Sequence, residues 1–273
     1  MKLNKFLLFL TIIIILVFLI FELFPIYWII ANSFKSYKDI VFFPPKFVFK
    51  PTFDNYLTAI AKNNFLSAIL SSAIVAFISV TIGVFVGTMA AYAIVRLKVG
   101  GRKILIYAIS SRMIPPVLLL LPLYIIFSKI KLLDTYYVLI ITYSTLLLSF
   151  TIWQMSSFLK ELPREMEEAA IIDGCNNWQL FFKIILPVSR PGLTAVAIFS
   201  FLWAWNDFIF SSILTGHNVL TAPVANTYFI VDYFIPWGPM TAASTLIMIP
   251  AFIFILIVQK QMVRGLTMGA VKG

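Results

Sequence analysis

Long apolar runs dominate the pattern of this chain. Six stretches are almost free of charge: approximately Phe6–Ala31, Leu66–Val95, Ile104–Phe127, Tyr136–Phe158, Leu193–Leu214 and Met240–Lys260. Each is close to the about 20 apolar residues that one helix needs to cross a bilayer. The runs do not alternate apolar and polar residues, as the strands of a membrane barrel must. In lipid each backbone group has to be satisfied within its own segment, which a helix does. The pattern predicts an all-α integral membrane protein with six transmembrane helices. They form a single transmembrane domain over 1–273, with a core bundle over about 66–262. Lys2 and Lys5 precede the first run, but that run reaches Ile30. A signal-peptide core is only roughly 7–15 residues long. No small-x-small cleavage site follows, so a retained first span is expected.

Within the runs, Pro115, Pro116 and Pro122 cluster in the third and predict a broken or bent helix there, because proline removes a donor and clashes with the preceding turn. Gly83 and Gly87 make a small-xxx-small pair that allows close helix packing.

The polar stretch between the fourth and fifth runs, 160–190, has helical features of its own. Pro163 is placed to open a helix. Glu165, Glu167 and Glu168 follow, where negative charge suits the helix dipole. Met166, Ala169, Ala170 and Asp173 share one face. Gly174 supplies a left-handed stop. Asn177 is positioned to cap a second helix, Trp178–Leu186, ended by Pro187. This predicts a helical hairpin. Anionic headgroups would repel its acidic first helix, which favours a protein partner over the membrane surface.

Composition agrees with the runs. Of 273 residues, 61% are hydrophobic and 12% charged, and mean hydropathy is +0.99. The net charge of +10 matches cationic residues gathered on cytoplasmic flanks. No basic stripe interleaves with aromatics, so no nucleic-acid partner is expected. With both termini inside, inner segments hold thirteen of the 21 Lys and Arg residues, outer segments seven, and Arg112 falls in a span. A multi-pass cell-membrane protein with both termini cytoplasmic is expected. Cys175 is the one cysteine and His217 the one histidine. No disulfide, multi-histidine metal site or catalytic constellation follows, and no phosphate-loop motif occurs.

The hairpin sequence Glu168-Ala169-Ala170, three residues, Gly174, nine residues, Ile184-x-Leu186-Pro187 resembles the cytoplasmic loop of binding-protein-dependent ABC importer permeases. The likeness extends over most of the chain: Ala91-Tyr92-Ala93 with Arg96, Gly101 and Arg102; Arg112–Pro116; Pro122-Leu123-Tyr124; Trp203–Phe208; and Val263–Gly273. The ending is similar to the smaller permease subunit of maltose-type carbohydrate importers. Departures are Ser71-Ser72 for a frequent Asn-Ser, Lys131 for a glycine before Leu-Leu-Asp, and Ser149 for a proline, which predicts a straighter fourth span.

The resemblance implies a non-catalytic permease subunit that forms half of a sugar pathway. Glu168, Ala169, Ala170, Gly174, Ile184, Leu186 and Pro187 would couple it to a separate ATPase. Its partners would be a second homologous permease, two cytoplasmic ATPase subunits or a homodimer, an extracytoplasmic solute-binding protein, and membrane lipid. No cofactor is expected on this chain; ATP and magnesium would sit on the ATPase.

Polar groups within spans usually face protein or water. Glu22, Arg112 and Gln154 are such groups, with a structural or interfacial reading favoured for Glu22 and Arg112. Trp203, Trp205, Asn206 and Asp207 form a denser cluster. Aromatic faces stack on sugar rings, and amides and carboxylates bond hydroxyls, so the cluster lines or gates a path, or else ties the bundle together. The 215–237 loop carries Tyr228, Asp232, Tyr233 and Trp237 but no Lys or Arg. Such a loop suits docking with a partner, which the resemblance implies would be the solute-binding protein, or anchoring at the interface.

Overall fold

The computed structural model describes residues 5–62, 64–230 and 235–270, and among these the regular elements are helices, with no strand. The long helices are α1 (Lys5–Ser33), α4 (Phe65–Val95), α7 (Tyr136–Glu161) and α14 (Trp237–Ala270). Between them lie α2 (Tyr37–Ile40), α3 (Asp54–Ala61), α5 (Gly101–Ser111), α6 (Pro116–Lys129), α8 (Glu165–Ile172) and α9 (Asn177–Leu180). A π-helical turn, Phe181–Ile185, leads into α10 (Leu186–Val188), α11 (Arg190–Asn206), α12 (Ile209–Leu214) and α13 (Ala222–Thr227). Among the described residues four helices are long and apolar enough to cross a membrane, or up to 6 if two bent pairs each count as one span.

The breaks have local causes. α5 and α6 meet at 96°. Residues preceding Pro115 and Pro116 are driven out of helical geometry, whereas Pro116 at the start of α6 needs no N–H partner. Pro122 lies inside α6 without ending it. The fifth apolar run is not the continuous helix expected over Leu193–Leu214. α11 stops at Asn206, and Asp207 is extended with ψ 128°. The Asp207 carboxylate accepts the N–H groups of Phe210 and Ser211, each at 3.1 Å, which starts α12. The polar side chain thus competes with the helix ladder and wins at this point. With Ser149 in its middle, α7 continues unbroken for 26 residues.

Contacts divide the chain into two compact units. In the first, Met1–Leu66 with Ala225–Ile249, the Asn55 amide donates to the carbonyls of Ser33 (2.9 Å) and Lys35 (2.8 Å), closing the end of α1. Lys35 is buried, with its ammonium 4.0 Å from the Trp28 ring centroid. A Cβ on Gly238 would press into the Asn55 side-chain amide that closes this end of α1.

In the second unit, Ser67–Val224 with Pro250–Gly273, α4 and α7 pack through the glycine pair. A Cβ on Gly83 would lie 2.8 Å from Leu147 Cβ, and one on Gly87 2.6 Å from Thr151 Cβ. Close approach substitutes dispersion contacts for the hydrophobic drive that lipid removes. The aromatic rings of Phe201 and Phe254 stack at 4.1 Å between centroids.

Candidate functional site

The 160–190 hairpin is fastened to the end of α4 by charge. Just past α4, Arg96 Nε lies 2.6 Å from Glu167 Oε1, with side-chain exposures of 6% and 9%. Arg96 Nη2 also donates to the Leu162 carbonyl at 3.0 Å. The buried face of α8 is therefore Glu167 with Ala170. On the face shared by Met166, Ala169, Ala170 and Asp173, Ala169 and Asp173 are exposed; the ion pair turns Glu167 inward beside Ala170. The next residue, Glu168, sits about 100° further round an α-helix and is exposed.

Beyond α8 the chain turns as the glycine predicts. Gly174 has φ +85°. Its N–H reaches the Ile171 carbonyl at 3.0 Å, and the Cys175 N–H reaches Ala170 at 2.9 Å, the two bonds of a Schellman ending. The cap of the second helix is Asn176, not Asn177. Its Oδ1 accepts from Gln179 N–H at 2.9 Å, and Gln179 Oε1 accepts from Asn176 N–H at 3.0 Å. Extended geometry at residue 176 places its side chain over the first turn. Nor does Pro187 end this helix. The π turn Phe181–Ile185 widens the backbone ahead of it, and Pro187 falls in the first turn of α10, where a missing N–H is tolerated.

The outcome is a knob with a firm base and an apolar, acidic top. Phe181 is buried and packs 5.4 Å from the Tyr92 ring. Ile171, Ile172 and Trp178 are exposed by 55%, 85% and 63%. Glu168, Ala169 and Gly174 share this exposed side, whereas Ala170 is buried. Ile184, Leu186 and Pro187 are half-buried. Leu186 and Pro187 face a cavity of about 530 Å³ shared with Phe77, Val84 and Phe201. The motif thus divides into a presenting half and an anchoring half.

At the α11–α12 break, Tyr143 donates its hydroxyl to Asp207 Oδ2 at 2.7 Å. Trp203 meets Tyr143 edge-on, with centroids 5.4 Å apart. Trp203 also lines a cavity of about 410 Å³ with Ser111, Arg112, Thr145 and Ser149. Arg112 lies 4.7 Å over the Phe150 ring. Trp205 is buried and stacks on Phe201 at 5.6 Å. Asn206 is exposed and donates to the Leu202 carbonyl at 2.8 Å. The cluster therefore separates: Trp203 faces a largely apolar cavity that Ser111, Arg112, Thr145 and Ser149 also border, while Asp207 and Trp205 hold helices.

Tyr228 and Trp237 are exposed by 47% and 48%. Asp232 and Tyr233 lie outside the described residues.

The sequence reading gave no role to Tyr143 or Asp134, and took Glu167 only as an acid of a helix's first turn. Asp134 accepts four backbone N–H groups, from Gly216, His217, Asn218 and Val219, at 2.8–3.1 Å. Burial pushes its pKa up, but those four donors outweigh it and hold the carboxyl below the ordinary 3.8. Lys131 adopts φ +57°, the region that favours glycine, so the lysine keeps a glycine's backbone geometry. Arg96 at the end of a span, with a run of acids in the 160–190 stretch, was the available signal for Glu167.

Residues 83–268 match the family described as binding-protein-dependent transport system inner membrane component. The chain belongs to this family. Its relatives include the trehalose transport system permease SugB of Mycobacterium tuberculosis, 38% identical over 255 residues, covering 91% of this chain and 92% of that one. The trehalose/maltose transport system permease MalG of Thermococcus litoralis is 34% identical over 252 residues, covering 90% of each. The diacetylchitobiose uptake permease NgcG of Streptomyces coelicolor is 32% identical over 246 residues, covering 89% and 82%. A solved bacterial ABC transporter involved in import of the acidic polysaccharide alginate shares the fold. It has a TM-score of 0.79 at 19% identity and covers 95% of this chain and 98% of that one. The family makes the chain a multi-pass membrane component of a transport system that works with other transporter components.

Proposed function

We propose that the chain is the permease subunit of an ATP-driven ABC importer for a sugar or oligosaccharide. Relatives named for trehalose, maltose and diacetylchitobiose support the solute class. In this reading α5 with α6 forms one bent span, and α11 completes six. Both termini are cytoplasmic, and the hairpin couples transport between the fourth and fifth spans. A second permease completes the pathway, two ATPase subunits hold ATP and magnesium, and a solute-binding protein delivers the sugar to the face bearing Tyr228 and Trp237. ATP-driven closure of the ATPases moves the hairpin and re-packs the helices between two access states.

The observation that carries the reading is the hairpin itself. An exposed Glu168 beside exposed Ile171, Ile172 and Trp178 presents charge around an apolar centre, the composition of a protein interface. The buried Arg96–Glu167 pair lets force on that surface reach α4. Glu168→Lys and Ile172→Asp alter the surface without touching the base. Both should lower ATPase retention on membranes and sugar uptake together, with normal insertion of the chain. Full retention and uptake in both variants would remove the hairpin as the coupling element.

A further inference from the structure

A second surface remains beside the hairpin. Where α4 and α7 end and α5 begins, a cleft of about 700 Å³ opens, and each charged residue lining it is a cation. Arg96 is committed to Glu167 and Leu162. Lys98, Arg102, Lys160 and Arg164 are exposed and form no ion pair among the described residues. Four like charges around one hollow repel each other unless an anion sits among them. The remaining wall is apolar: Ile94, Val95 and Leu105. Gly100 starts α5 in left-handed geometry with no side-chain cap, so the first-turn N–H groups of α5 add to the positive field.

We propose that this cleft binds the headgroup of an anionic phospholipid. Its position favours a lipid over other anions. The cations lie where three apolar helices leave the membrane, and the apolar wall descends from them along α4 and α5. A phosphate would meet the cations while its acyl chains meet the half-buried Val95 and Leu105. A soluble phosphate has no use for that wall, and an acidic protein segment has no use for a site at headgroup depth. Basic pockets at helix ends with this arrangement are suited to lipid headgroups.

The test uses the full chain purified in neutral detergent, titrated with phosphatidylglycerol, phosphatidylcholine, or inorganic phosphate, with bound lipid counted by native mass spectrometry. Phosphatidylglycerol should bind in preference to phosphatidylcholine. The double variant Arg102→Gln/Lys160→Gln removes two cations from different helices. At about fivefold per charge, it should weaken phosphatidylglycerol binding by about 25-fold. Arg102→Lys/Lys160→Arg keeps both charges and should bind as the unmodified chain does, which separates lost charge from lost fold. Lys38→Gln/Lys50→Gln, in the α1–α4 connection, should change nothing. Equal binding of both lipids, or an unaltered affinity in the Gln variant, would overturn the proposal. So would displacement of phosphatidylglycerol by millimolar inorganic phosphate, which would mark a free-anion site. If the Gln variant releases the ATPase from membranes but keeps its lipid, the cleft is a protein contact and the proposal fails.

Discussion

Substituting Glu167 tests whether the hairpin is held by a buried charge or merely by contact. Glu167→Gln keeps the shape and removes the charge, leaving the Arg96 guanidinium with one carbonyl partner, Leu162 at 3.0 Å. Removing one partner of a buried pair costs about 3–5 kcal/mol, because the remaining charge is left uncompensated. Both side chains are under 10% exposed, 6% and 9%, so the full penalty is the starting point. Arg96 also borders the basic cleft, which gives its guanidinium a way to water. That places the cost at the lower end, about 3 kcal/mol, or roughly 100-fold in the equilibrium that detaches α8. Hydrogen exchange of the α8 amides reads this local opening directly. The variant should exchange about 100-fold faster from Ala169 to Ile172, with little change within α7. Arg96→Met/Glu167→Met, which buries no charge, should recover much of the protection. It still loses the Leu162 bond, worth about 1 kcal/mol. Unchanged exchange in Glu167→Gln, or a double variant as open as the single one, would refute the argument that charge sets the rotation of α8.

Asp134 gives a pH dependence with a definite sign. Its folded pKa lies below the ordinary 3.8, so the stability it supplies is present above that value and is lost as pH falls through the folded pKa. Exchange of the Gly216–Val219 amides should rise below about pH 4, and Asp134→Asn should raise it at neutral pH and flatten the dependence. Gly87→Ala places a Cβ 2.6 Å from Thr151 Cβ. It should destabilise the α4–α7 packing by about 1–3 kcal/mol, read as a lower unfolding midpoint in detergent, and Thr151→Gly should restore it. Lys131 holds φ +57°, which costs a side-chain-bearing residue about 1–2 kcal/mol. Lys131→Gly should therefore raise the midpoint slightly, and a fall would show that the lysine side chain supplies a contact worth more than the backbone strain.

Much of this protein is determined locally, and its sequence discloses that part. The helices follow from apolar runs too long for anything but a membrane span, since a helix in lipid satisfies its own backbone. The turn at Gly174 and the break before Pro116 are equally local, because a left-handed residue or a missing N–H acts within one turn. The 168–187 hairpin is readable for the same reason: its turn and caps lie within one short stretch of chain. Tertiary structure decided whatever depended on partners far apart in the chain. Asp207 read equally as a path residue or a structural tie; its bonds to Tyr143, 64 positions away, and to the next turn of backbone, which broke the fifth span, came only with packing. The face that α8 turns inward was set by Arg96 rather than by the spacing of its small residues. Asp134 gathers four N–H groups from 82 to 85 residues away, and the basic cleft exists only because the ends of three separate helices meet. Local backbone physics chooses the elements; which side chains then satisfy one another's charges and hydrogen bonds is fixed only when those elements pack.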